Sequence, residues 1–151
     1  MSQELKLQLY KHCLDYVNHQ IEIIKTALDD AQSAANDETR NSAGDKYETG
    51  RAMKQLESES LVKRLNAAHA LQKTLHQIDI SKNCDSVKPG ALVTTSIGIF
   101  FIAISADEVV IDNEEYCLIS QESPIGEAML NCKAGASFKF RDKTIKIIAV
   151  E

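Results

Sequence analysis

Two apolar series at helical spacing, separated by a polar break, constrain this 151-residue chain more than any other feature. The first runs Leu5, Leu9, Cys13, Tyr16 or Val17, Ile21, Ile24, Leu28, Ala31 and Ala35. The second runs Met53, Leu56, Leu61, Leu65, Ala68, Leu71, Leu75 and Ile78. Steps of three and four residues, sustained over several heptads, put each series on one face of a helix. Neither stretch contains proline, and glycine occurs there only at Gly44 and Gly50. Between them, Ala35-Asn-Asp-Glu-Thr-Arg-Asn-Ser-Ala-Gly44 interrupts the seam and supplies capping residues. The spacing predicts helices near 3–35 and 46–78, arms of equal length about a centre near residue 41. At the α-helical rise per residue each arm is roughly 50 Å long. Equal arms with matching seams favour an antiparallel coiled-coil hairpin over residues 1–80, its tip at 36–48.

Past residue 81 the pattern changes period. Ser81-Lys-Asn-Cys-Asp-Ser86 is a polar connector, closed by the turn Val87-Lys-Pro-Gly90. Short β-branched or aromatic runs follow at Ala91–Thr95, Ile99–Ser105, Glu108–Ile111, Glu115–Ser120, Ser137–Arg141 and Thr144–Val150. Asp112-Asn113 and Arg141-Asp142 are turn signals between them. One interruption, Ser123-Pro-Ile-Gly-Glu-Ala-Met-Leu130, starts with serine and then proline, the usual opening of a short helix. The expected fold class is α+β, a helical hairpin followed by a small β-rich domain over 81–151.

Composition excludes several functions. With 17 basic and 22 acidic residues the net charge is −5, which leaves no electrostatic footprint for autonomous DNA or RNA binding. No apolar run approaches the roughly 18 residues of a membrane span, and the N-terminus lacks signal-peptide or transit-peptide character. Cys13, Cys84, Cys117 and Cys132 are scattered without a Cys-x-x-Cys pair, as expected of reduced thiols in a cytoplasmic protein. His12, Cys13 and His69 could be imagined around zinc. Adjacent helical residues diverge by about 100°, and closed zinc sites bring four convergent ligands, so seam-edge histidines are the better reading.

The second half resembles a known family. Val87-Lys-Pro-Gly-Ala-Leu-Val93, Ile119-Ser-Gln-Glu-Ser-Pro-Ile-Gly-Glu-Ala-Met-Leu130, Lys133-Ala-Gly-Ala-Ser-Phe138 and Ile145-Lys-Ile-Ile-Ala-Val150 look like motifs of the bacterial Gre (GreA/GreB) transcription elongation factors. The resemblance covers residues 87–151 by motif and the whole chain by architecture. It implies a C-terminal domain similar in fold to FK506-binding proteins, docked at the rim of RNA polymerase's secondary channel. Ser123, Pro124, Ile125 and Gly126 would then face the polymerase. The coiled coil would reach down the channel, and acidic residues at its tip would help hold the second Mg²⁺ of the polymerase active site. Backtracked nascent RNA is cleaved there by the polymerase. The factor itself would be an accessory, not an enzyme, with no metal or cofactor of its own and contact with RNA only inside the complex.

That chemistry asks for carboxylates at a tip. Two-metal phosphodiester cleavage needs a second cation and a positioned water, and Mg²⁺ is recruited by one or two carboxylates while keeping several waters. Between residues 29 and 48 stand Asp29, Asp30, Asp37, Glu38, Asp45 and Glu48 against only Arg40 and Lys46. The family's tip has the form Gly-Asp-x-x-Glu, which Gly44-Asp45-Lys46-Tyr47-Glu48 keeps; the family continues Asn-Ala-Glu-Tyr, whereas this chain continues Thr49-Gly50-Arg51. Aligning Tyr47 on the family tyrosine instead puts the catalytic pair on Arg40 and Ala43, which cannot bind a cation. The chemistry favours Asp45 and Glu48, with Asp37 and Glu38 as secondary candidates. The same Asp45 and Glu48 also form a capping arrangement that complements the helix dipole. Arg51 and Lys54 could face RNA, although Glu48, Glu57 and Glu59 interleave with the cations and suit a solvated, ion-paired face. Without cleavage activity, the chain would be a secondary-channel regulator or, more distantly, a coiled-coil interaction module. Prolyl isomerase activity is disfavoured: the β domain's aromatics, Phe100, Phe101, Tyr116, Phe138 and Phe140, are what its own core would use.

Overall fold

A computed structural model describes the backbone of residues 2–41 and 45–151 and the side chains of residues 3–33 and 52–151. The elements run α1 (Ser2–Asn41), α2 (Asp45–Gln77), β1 (Leu92–Thr95), β2 (Gly98–Ile102), β3 (Val109–Ile111), β4 (Glu114–Ile119), α3 (Pro124–Met129), β5 (Ser137–Phe140) and β6 (Lys143–Val150). The chain is α+β. Each β-branched run yields its strand, and the serine–proline start yields α3. Helix α1 continues to Asn41 instead of ending at 35, because no proline or glycine precedes Gly44 to stop it.

Close contacts divide the chain into two compact units, Val17–Gln72 and Met1–Tyr16 with Lys73–Glu151. In the first, α1 and α2 lie antiparallel, and the Gln72 side-chain amide donates to Asn18 Oδ1 at 3.1 Å. Val17, Ile21, Ile24 and Ala31 of α1 and Leu61 and Ala68 of α2 are buried. Among the described residues of α2 within this unit, the buried and half-buried positions are Lys54, Ser58, Leu61, Leu65, Ala68 and Gln72. These alternate steps of four and three, the strict period of a two-helix seam. The expected seam is corrected at three places: Met53 is 66%, Leu56 65% and Leu71 37% exposed. Met53 and Leu71 each precede a seam position by one residue, a rotation of about 100°. The heptad therefore runs through Lys54, Ser58 and Gln72 in preference to the neighbouring apolar side chains.

The second unit is built on one six-stranded mixed sheet of order β3-β4-β2-β1-β6-β5. The β2–β4 pair is parallel and the others are antiparallel. One face carries the core: Val87, Val93, Phe100, Ile102, Phe138, Ile145 and Ile147 pack together with Met129 of α3. The opposite face buries Leu92, Phe101, Tyr116 and Leu118. Alternation along the strands separates these two sets. Leu9, Cys13 and Leu75, from the helix segments of this unit, are also fully buried. Donors along one side of α1 clasp the end of α2 and its connector: Gln3 Nε2 to Ile80 O at 2.5 Å, Lys6 Nζ to Lys82 O at 3.2 Å and Tyr10 O–H to Leu75 O at 2.7 Å. The fully buried Lys6 thus delivers its ammonium to a carbonyl.

Turn chemistry fixes the strand registers. Asp112-Asn113 and Arg141-Asp142 both take positive φ at both residues, the primed geometry whose twist matches a two-residue hairpin. Gly90 has φ +93°, and a Cβ there would meet Ile78 Cγ2 at 3.0 Å and Asp79 O at 3.1 Å. The Val87–Gly90 turn therefore needs its glycine both for conformation and for close approach.

Candidate functional site

The sequence points to two places, the connection between the helices and the start of α3. Asp45 and Glu48 belong to the first turns of α2, Arg51 follows on the same helix, and Asp37, Glu38 and Arg40 belong to the end of α1. The side chains of all six lie outside the described residues, as does Ala43 altogether. Lys54 is described: it is half-buried on the α2 seam line. Among the described residues no group of three His, Cys, Asp or Glu side chains could hold a metal ion. His12 and His69 are exposed, whereas Cys13 is fully buried. Burial pushes the Cys13 thiol up to about 11, away from the thiolate that a metal would need.

At the start of α3, Ser123 takes an extended conformation and caps the helix. Its Oγ accepts from the Gly126 N–H at 3.1 Å and donates to Ser120 O at 2.6 Å. Pro124 occupies the first helical turn, where a missing N–H costs nothing. Gly126 is buried, and a Cβ on it would lie 2.1 Å from Ser120 O and 2.8 Å from Ser123 Oγ. Ile125 is half-buried against the sheet core. Within the motif, then, Ser123 and Gly126 build the turn, Ile125 anchors it, and Pro124 is the exposed member.

A third place is not signalled by any motif. Glu4, Leu5 and Gln8 of α1 and Ile111, Asp112 and Tyr116 of the β3–β4 hairpin line an open cleft of about 250 Å³. Tyr116 is only 7% exposed. Burial, then the Glu114 and Asp112 carboxylates, raise its phenol above the ordinary value, so it stands as a neutral O–H. The lining residues are more than a hundred positions apart in sequence. The only local signal is an acidic stretch, Asp107, Glu108, Asp112, Glu114 and Glu115.

No helix among the described residues is long and apolar enough to cross a membrane. No family model matches the chain, and no curated protein matches it. Among solved structures it is similar to GreA factor homolog 1 (Gfh1) of Thermus thermophilus, with 17% identity over 94% of each chain and a TM-score of 0.35. A second structure, of the transcription factor Gfh1, is 17% identical, with 94% of this chain and 92% of that chain covered and a TM-score of 0.34.

Proposed function

We propose that the chain is a Gre-like accessory factor of RNA polymerase that enters the secondary channel and assists Mg²⁺-dependent cleavage of backtracked RNA. The observation that supports this reading is that α1 ends at Asn41 and α2 begins at Asp45, so Asp45 and Glu48 belong to the start of α2, next to the connection between the helices, where the Gly-Asp-x-x-Glu resemblance expects an acidic tip. The Ser123-Pro124-Ile125-Gly126 helix start, with the exposed Pro124 as its outermost residue, is the expected polymerase contact.

In this mechanism Asp45 and Glu48 would contribute oxygen ligands to a cation held mainly by the polymerase and would position the attacking water. The Mg²⁺ would supply the Lewis acidity, and the chain would supply carboxylates. An acidic residue in the first helical turn complements the helix dipole and has oxygens for a second partner, so dipole stabilisation and metal assistance are compatible at Asp45. A non-cleaving channel regulator is the second reading, favoured by Thr49-Gly50-Arg51 where the family continues Asn-Ala-Glu-Tyr.

RNA cleavage in a stalled, backtracked elongation complex separates the two. Shortened transcripts with the wild type and none with Asp45→Ala/Glu48→Ala support the cleavage factor and the Gly-Asp-x-x-Glu register. Polymerase binding without cleavage by the wild type assigns the chain to the regulator.

A further inference from the structure

The cleft between the start of α1 and the β3–β4 hairpin has the chemistry of a site for a basic side chain. Leu5, Ile111 and the Tyr116 ring offer apolar walls, and Glu4 and Asp112 carry carboxylates. The Tyr116 ring is largely covered, at 7% exposure for the residue, and its hydroxyl makes no hydrogen bond among the described residues. Tyr116 and Gln8 both line the cleft, so a phenol and a side-chain amide are available there to a guest. A volume of about 250 Å³ falls below the roughly 300 Å³ at which small-molecule pockets begin. It suits one long side chain.

Next to the cleft, β3 is the last strand of the sheet. Ile111 and Glu114 flank the two-residue turn as a pair, and Val110 opposes Glu115 one step further. In such a hairpin the flanking pair exchanges hydrogen bonds and the next pair does not. The Val110 N–H and C=O therefore point outward, and its side chain is 62% exposed. Neither lysine nor proline guards this edge, the usual protection against strand addition. The surroundings have one sign: no Lys or Arg occurs from residue 89 to 132, while Asp107, Glu108, Asp112, Glu114 and Glu115 cluster on and beside this hairpin.

We propose that the β3 edge and the adjoining cleft dock an extended, basic segment of a partner protein, its strand pairing with Val110 and its Arg or Lys entering between Glu4, Asp112 and Tyr116. Backbone pairing gives this mode its affinity, and the pocket gives it selectivity. The carboxylates set a salt-dependent approach.

The test uses the full ¹⁵N-labelled chain titrated with acetyl-Thr-Val-Arg-Val-Thr-amide, and separately with the same peptide carrying Glu for Arg. The arginine peptide is expected to shift the Val110 backbone amide and the Gln8 side-chain amide together. Glu4→Gln/Asp112→Asn is expected to weaken binding by about fivefold or more with an unchanged circular dichroism spectrum. Val110→Pro is expected to abolish pairing, and its folding is checked by the same spectrum. Equal binding of the glutamate peptide, shifts centred elsewhere on the sheet, or no response at millimolar peptide overturns the proposal. So does concentration-dependent self-association in sedimentation that accounts for the Val110 shift, because the basic β5–β6 edge of a second copy, with Lys139, Lys143 and Lys146, would then be the occupant.

Discussion

Gly126 and Cys13 show how single positions are set by what touches them. A methyl group on Gly126 would sit 2.1 Å from a backbone carbonyl, so the α3 turn must open to admit it. Gly126→Ala is expected to cost about 2–4 kcal/mol in urea unfolding, the range for overpacking combined with a disturbed cap. Pro124→Ala, on the exposed side of the same turn, should change stability by less than about 1 kcal/mol. Cys13 gives a pH dependence with a definite sign. Its thiol is raised from 9.0 to about 11 by burial, the folded chain holding the neutral form. That contribution is complete below pH 9, falls as pH rises from about 9 to about 11, and is on the order of 2–3 kcal/mol. Unfolding measured across this window should show a steeper loss for the wild type than for Cys13→Ala, in which the common lysine and tyrosine titrations remain. At this scale the sequence is legible where a residue type has one use. Ser123 with Pro124 announces a helix start, and Asp112-Asn113 a tight turn. It is silent on the closeness of Gly126 to Ser120, which depends on the path of the chain entering α3.

The helices and strands follow the periods written in the chain, with one instructive slip. Hydrophobicity alone draws the α2 seam through Met53, Leu56 and Leu71. The structure draws it through Lys54, Ser58 and Gln72, because antiparallel packing demands a regular alternation of three and four steps. Leu61→Ala, at a buried seam position, is expected to destabilise by about 2–3 kcal/mol. Leu56→Ala, 65% exposed, should stay within about 0.5 kcal/mol. Ser58→Leu should stabilise by about 1 kcal/mol by replacing a half-buried hydroxyl with apolar surface. Urea midpoints for the three variants check the phase of the seam: equal losses for Leu61 and Leu56 would restore the purely hydrophobic register. The strands were the easier elements to read, since each alternating or β-branched run is bounded by its own turn residues.

Across the whole molecule, the helical pair, a small β-rich domain and α3 were legible in the sequence as classes of structure, whereas the parallel β2–β4 pairing was not. The cleft beside β3 was not, because Glu4 and Tyr116 meet only once the start of α1 lies against the hairpin. The same holds for the charge division of the sheet. Strand order places the acidic β3–β4 hairpin at one edge and the lysine-rich β5–β6 hairpin at the other, though the two stretches are close in sequence. The proposed role in transcription rests on residues 44–48 and 123–126 serving one partner from two places on the chain. Equilibrium binding of the full chain to purified bacterial RNA polymerase core, followed by fluorescence anisotropy, tests that claim most directly. Saturable binding that is weakened by Pro124→Glu and retained by Asp45→Ala/Glu48→Ala is the expected result. No binding at micromolar polymerase would contradict it.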